Sequence, residues 1–399
     1  MHALSDIFRA RTDRAVTNLG AAPPGVDAAR KEIVPLTGLR GVAAAWVFLY
    51  HAMGLTHDLD PGVTWPLRLV ASAGYLGVDL FFVLSGFVIG YNYAHEHLHR
   101  SWRGYGQFLW KRLARIWPAH TAALLFFASG LAIYQVDSDL SLVGLLKSLT
   151  LTQAWSLPGQ ATWNPVAWSV SCEWAAYLTF PLIALATQRL PPLLAIIGIG
   201  CCYVGLYGAF IVGPWGEGPN SMGLQRVAAN FTAGVLVFRI WSARRVPMNL
   251  AGWVAITGLI LGSSFIDMVS ERSLSVAKLP ILSCALVYTL ACATGPLART
   301  FARLRYAGCI SYSFYLVHWV GLSMVQSLLH ANGVNDSRLW VYAGIGVGIV
   351  IAIAMADFLY RNIERPAQRW MMRLTRARPA LSESAQRDLN RSDRQPHFG

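Results

Sequence analysis

The sequence predicts an all-α, polytopic integral membrane protein with about ten transmembrane helices and both termini in the cytoplasm. Composition, the length of the apolar runs and the placement of basic residues carry that prediction. Of 399 residues, 55% are hydrophobic and only 13% are charged, about half the charge usual in soluble domains. Several apolar runs approach or exceed the ~18–20 residues that cross ~30 Å of hydrocarbon. With both ends inside, 27 basic residues fall on the cytoplasmic side or at its helix ends. Six fall outside: Arg68, Lys147, Arg226, Arg272, Lys278 and Arg338. That asymmetry follows the positive-inside rule. The net charge of +13 is thus mostly topology. Its basic residues are scattered over loops and tails, which argues against a nucleic-acid partner.

In chain order, the spans are expected near 36–55, 73–92, 117–135, 164–187, 191–212, 222–240, 250–268, 279–296, 306–329 and 340–362. The stretch 140–153, LSLVGLLKSLTLTQ, is short and polar enough to be interfacial or re-entrant. Residues 1–32 read as a basic cytoplasmic tail, because no uninterrupted apolar core precedes residue 33 and a cleavable signal peptide needs one. Residues 367–399 read as a second cytoplasmic tail that begins as a basic juxtamembrane helix and ends polar. No long loop offers room for another globular domain, so the chemistry is expected within 33–366. The six cysteines show no CxxC or Cys/His metal spacing and read as buried thiols, with no metal site.

Two residues of the first span are the most informative. Arg40 and His51 lie eleven positions apart in PLTGLRGVAAAWVFLYHAMGL. Eleven residues make almost three turns, so both side chains leave nearly the same helix face, ~16 Å apart along the axis. An arginine at the start of a span can anchor a phosphate, and a mid-depth histidine is a candidate base or nucleophile. A pantetheine arm bridges about that distance, which suggests an enzyme drawing an acyl-CoA into the membrane.

Helical rise places three further polar residues near the depth of His51: Asp79 in YLGVDLFFVLSGF, Glu173 in NPVAWSVSCEW and His318 in ISYSFYLVHWV. Each is costly against lipid, so each should face the bundle interior, and four such groups at one level suggest one site. Each also has a bland reading. His51 could be a satisfied core histidine, Asp79 a helix N-terminal acid or the partner of an arginine, and Glu173 and His318 ties between helices. Gly86 and Gly90 in LSGFVIG read as small-residue packing. Arg112 and Arg115, three apart in the helix start QFLWKRLARIWP, share a face beside Arg40. They are either snorkelling arginines or, with Arg40, a cradle for the phosphates of coenzyme A. Trp155, Trp163 and Trp168 near the outer face are belt anchors or sugar-stacking platforms.

Taken in order, the segments LTGLRGVAA with Arg40 and His51, GYLGVDLFFVLSGFVI, KRLARIWP, AWSVSCEW, ISYSFYLVH and the terminal IERP resemble the membrane acyltransferase-3 family over about residues 33–366. The resemblance implies a ten-helix bundle in a bacterial inner membrane. It implies O-acetylation, with acetyl-CoA or another acyl-CoA as cytoplasmic donor and an extracytoplasmic glycan hydroxyl as acceptor. By resemblance, Arg40, Arg112 and Arg115 contact the donor and His51 is the essential catalytic residue. A separate extracytoplasmic acyl-accepting protein is an alternative recipient.

Two mechanisms stay open on the residues alone. In one, His51 removes the acceptor proton, with Asp79 or Glu173 fixing its ring; in the other, His51 is itself acylated. Tyr312, Tyr315 and His318 are candidate oxyanion donors. A lipid or small secondary metabolite as acceptor is the neighbouring reading. A transporter or flippase is the reading from another class, and it calls for an inverted repeat that this chain does not display.

Overall fold

The protein is described here from a computed structural model that covers residues 32–56, 71–94, 101–133, 141–155, 163–212, 222–243 and 272–376, with isolated positions 59, 68, 254 and 258. Among the described residues the secondary structure is helical throughout. The helices are α1 (Val34–Ala52), α2 (Gly77–Tyr93), α3 (Trp102–Ile133), α4 (Leu142–Leu149), α5 (Trp168–Thr187), α6 (Pro192–Val212), α7 (Gly223–Ala243), α8 (Arg272–Cys292), α9 (Gly295–Arg303), α10 (Arg305–Ala331), α11 (Arg338–Leu359) and α12 (Arg365–Arg376). A single π-helical turn, Tyr360–Glu364, joins α11 to α12.

Among the described residues, five helices are long and apolar enough to cross a membrane, and six if the bent α8/α9 pair counts as one. The expected spans at 36–55, 117–135 and 222–240 are helical over their described residues too, but polar residues such as Arg40, His51, His120, Arg226 and Asn230 dilute their hydropathy. The expected span at 250–268 and most of both tails lie outside the described residues.

Three elements bear on the sequence reading: two depart from it, and the third gives form to a segment that reads as interfacial or re-entrant. First, α3 runs for 32 residues straight through Pro118, so its ~48 Å length exceeds the hydrocarbon thickness. Proline is usually a helix-start signal, yet here 102–117 is already helical. Second, the expected straight span at 279–296 ends at Cys292 and turns by 103° into α9. Gly295 sits at φ +65° and is followed by Pro296 in the first turn of α9. A left-handed glycine ends one helix and a proline opens the next. Third, 140–153 contains the short helix α4, whose cap Ser141 accepts from the Gly144 amide. Trp117 Nε1 and His120 Nε2 on α3 hold its far end through the carbonyls of Leu149 and Ser148.

The bundle centre is assembled by glycines. A Cβ at Gly86 of α2 would stand 2.0 Å from the Phe231 carbonyl oxygen of α7, and one at Gly234 of α7 would stand 2.1 Å from that of Val83. Only bare backbone permits that approach, so α2 and α7 interlock. Helix α1 packs on α10 the same way: a Cβ at Gly308 would lie 1.8 Å from the Thr37 carbonyl oxygen. The two helices run in the same direction, with Thr37 against Gly308 at one end and His51 against His318 at the other. Helices α6 and α11 turn Leu193, Val204, Leu339 and Val350 outward as an apolar rim.

Candidate active site

Packing of α1 against α10 brings two histidines together. His51 Nδ1 lies 2.9 Å from His318 Nε2, and His318 Nδ1 lies 2.7 Å from the Tyr315 carbonyl oxygen. His318 is fully buried. Phe314 stacks on it with ring centroids 6.0 Å apart, and Trp319 meets His51 edge-on at 5.0 Å. The direction of the hydrogen bonds follows from their last acceptor. A carbonyl only accepts, so His318 Nδ1 carries a proton. In a neutral ring its Nε2 then accepts, and His51 Nδ1 must donate to it. A neutral His51 is left with the Nε2 lone pair unused, the state a general base or a nucleophile requires.

His51 lines a cavity with Tyr50, Tyr75, Trp168, Tyr315 and Trp319. A second cavity lies on the other side of Tyr315 and Val78, which belong to both. It is lined by Arg40, Arg112, Arg115, Glu173, Ser85 and Tyr177 among others. The three sequence-predicted arginines therefore share one chamber. Arg115 is ion-paired with Glu364, which also accepts from Ser313 Oγ at 2.6 Å. Arg112 Nη2 donates to the Tyr93 hydroxyl at 3.1 Å. Arg40 makes no hydrogen bond or ion pair among the described residues, and the Nε atoms of Arg40 and Arg112 are buried without partners. Both side chains are half-buried beside the Glu173 carboxylate of the same chamber, and their free Nε groups leave hydrogen-bonding capacity that suits an anion. Among the described residues no group of three or more His, Cys, Asp or Glu is placed to hold a metal.

The four titratable groups expected at one level do not form one cluster. His51 and His318 pair, and Glu173 lines the arginine chamber. Its Oε1 accepts from Ser85 Oγ at 2.6 Å and from the Tyr177 hydroxyl at 2.5 Å. Asp79 is engaged elsewhere. It takes Arg226 Nε at 3.1 Å and Asn230 Nδ2 at 2.8 Å on Oδ1, and Arg226 Nη2 at 2.6 Å on Oδ2. The partner of the His51 imidazole is thus His318 and neither carboxylate. Helical rise gives height but not the direction around the axis, which is why equal depths did not mean one site.

The candidate oxyanion donors fare differently from expectation as well. The Tyr312 hydroxyl donates to the Ile116 carbonyl and the Tyr315 hydroxyl to that of Val166, each at 2.7 Å. Both hydroxyl protons are already committed. Of the three tryptophans, Trp168 lines the histidine cavity and packs on the Arg226 guanidinium 5.2 Å away. Trp155 and Trp163 donate their indole N–H to the carbonyls of Ser171 and Ser141.

Sequence reasoning missed Arg226, Asn230, Glu364, Ser85 and Tyr177 as members of these networks. Arg226 and Asn230 stand four apart on one face of an apolar helix, a readable signal for a buried acid partner.

Residues 34–357 match the family model described as an acyltransferase domain. The chain is 27% identical to the acyltransferase MdmB of Streptomyces mycarofaciens, over 85% of this chain and 92% of that protein. It is 23% identical to the peptidoglycan O-acetyltransferase OatA of Listeria monocytogenes, over 85% of this chain and 56% of that protein. It is 25% identical to the O-acetyltransferase OatA of Staphylococcus aureus, over 84% of this chain and 57% of that protein. The chain thus matches little more than half the length of the two OatA proteins. No solved structure matches it.

Proposed function

Because the chain belongs to the acyltransferase-3 family and is an acyltransferase, we propose that it moves an acyl group, acetyl in the leading reading, from cytoplasmic acyl-CoA to a hydroxyl of an extracytoplasmic glycan. In this reading it crosses a bacterial inner membrane ten times, with both tails, 1–32 and 367–399, in the cytoplasm around an acyltransferase unit at 33–366. The name of the Listeria relative, a peptidoglycan O-acetyltransferase, points to a glycan hydroxyl as acceptor, met directly or through a separate acyl-accepting protein. The observation that carries the proposal is the pair of adjoining cavities, one lined by arginines and one by histidines, with Tyr315 between them.

Arg40 and Arg112 supply the unpartnered donors an anionic acyl-CoA needs, and Arg115 is steered by Glu364. His51 acts through its free Nε2 in one of two forms. In the direct form its free Nε2 takes the acceptor hydroxyl proton as the new C–O bond forms and the C–S bond breaks, and the departing thiolate later takes up a proton. His318 receives the Nδ1–H bond of His51 and so supports the imidazolium that develops. In the relay form the same lone pair attacks the thioester first and expels the thiolate; the hydroxyl then takes the acyl group as the C–N bond breaks, His51 returns neutral, and the hydroxyl proton balances the one the thiolate takes up. Asp79 supports the site from behind Trp168 through Arg226 rather than touching the reacting atoms.

The test is the alkali-labile acetyl content of surface glycan in a deletion strain complemented with wild type, His51→Ala or His318→Phe at matched membrane levels. Wild type restores acetyl and His51→Ala does not. His318→Phe keeps the aromatic packing, removes the acceptor for His51 Nδ1 and lowers transfer by roughly ten- to a hundredfold. Full activity of His51→Ala would refute the proposed chemistry. Failure of wild type to restore acetyl would move the acceptor to lipid or metabolite.

A further inference from the structure

A third cavity opens beside the arginine chamber, where α3 meets α12, and Lys111, Arg112, Gln368, Arg369 and Arg373 line it. Its volume of about 430 Å³ is in the range of small-molecule sites, about 300–1,000 Å³, and Arg369 and Arg373 are exposed at its mouth. We propose that this cavity holds the phosphorylated nucleotide end of the acyl-CoA donor. This inference rests on the donor reading above and adds residues that the reading does not use.

The charge pattern is the first argument. Arg369 and Arg373 stand four apart on α12, a like-charge spacing that weakens an isolated helix. They face Lys111 and Arg112, neighbours on α3. Among the described residues none of the four is ion-paired with a carboxylate. Four converging cations without a counter-charge repel one another, and a ligand carrying a phosphomonoester and a diphosphate turns that repulsion into binding.

Construction and continuity are the second and third arguments. The Trp110 indole donates to the Met371 carbonyl oxygen at 2.9 Å, tying α12 to α3 from the position next to Lys111. The ion pair of Arg115 with Glu364 fixes the chain just before α12 begins. The walls are therefore held by two helices. Arg112 lines both this cavity and the arginine chamber, and its buried Nε has no partner. A ligand with phosphates here and a slender arm reaching past Arg40 toward His51 would follow the cavities in order.

Anionic lipid headgroups share the phosphate chemistry, and basic residues beside a membrane attract them. The concave shape and its continuity with the inner chamber favour the nucleotide. The full-length protein in neutral-lipid nanodiscs would be titrated calorimetrically with coenzyme A, with dephospho-coenzyme A lacking the 3′-phosphate, and with adenosine 3′,5′-bisphosphate. Arg369→Gln/Arg373→Gln should weaken coenzyme A binding by roughly ten- to a hundredfold and shrink the preference over dephospho-coenzyme A. In transfer assays its KM for the acyl donor should rise while kcat holds. Arg303→Gln, which removes an exposed charge outside the cavity, should change neither.

Unchanged affinity in a monodisperse double variant overturns the site. So does a loss that appears only when phosphatidylglycerol is present, which would assign the cavity to lipid. If wild type itself fails to bind coenzyme A, the donor reading falls and this site falls with it. Wild-type binding with unaffected variants refutes this site alone.

Discussion

Asp79→Asn isolates the charge of the buried pair beneath the histidine cavity. Asp79 and Arg226 are 0% and 1% exposed, and the carboxylate accepts three hydrogen bonds. The substitution keeps the shape but turns one acceptor oxygen into an NH2 that faces a donor of Arg226 or Asn230, and it leaves a guanidinium buried without its anion. Removing one partner of such a pair costs about 3–5 kcal/mol. Three charge-assisted hydrogen bonds at about 1.5 kcal/mol each reach the same range. The double variant Asp79→Asn/Arg226→Gln has no stranded charge, so it should recover at least about 2 kcal/mol relative to additivity. The assay is a double-mutant cycle of thermal unfolding in detergent, on monodisperse protein, with acyl transfer measured on the double variant. Additive losses would refute the pairing as the dominant interaction. A stable double variant without activity would refute the structural role and return Asp79 to the chemistry.

Further outcomes follow from particular contacts. Gly86→Val drives a branched side chain into the Phe231 carbonyl, where even a Cβ has 2.0 Å; α2 and α7 should separate and no monodisperse protein should elute on size exclusion. Glu364→Ala strands Arg115 and Ser313 and should cost about 2–3 kcal/mol in unfolding, with a raised KM for the acyl donor. Gly295→Ala strains a left-handed position, φ +65°, that has open space around it; a loss of about 1–2 kcal/mol is expected in the same unfolding assay. Arg40→Lys keeps the charge but not the planar fork, and donor affinity should fall by roughly tenfold or more.

How much of this was legible in the sequence depends on what each signal encodes. Apolar period and length located the helices at 73–92, 164–187, 191–212, 306–329 and 340–362. Spacing placed Arg40, Arg112 and Arg115 at one end of the bundle, and they share a chamber. The pairing of His51 with His318 follows from depth only because α1 and α10 also pack face to face through Gly308 and Thr37. Depth failed for Asp79, whose partner Arg226 reads on paper as an outer-side charge at the start of the span 222–240. The long α3 was hidden by Pro118, and the 103° bend by an apolar run that reads straight across Gly295 and Pro296. The π turn that aims Glu364 at Arg115 has no periodicity to betray it.

Tyr315 serves two neighbours with opposite ends of one residue. Its hydroxyl is tethered to the Val166 carbonyl and receives the Ser169 hydroxyl, while its own carbonyl anchors His318. Swinging the ring aside gives up two hydrogen bonds, about 1–3 kcal/mol, and joins the two cavities. The carbonyl belongs to the α10 backbone and need not move. The ring also packs on His318 with centroids 5.8 Å apart, so one residue ties the wall between the cavities to the histidine pair at two points, through its carbonyl and through its face.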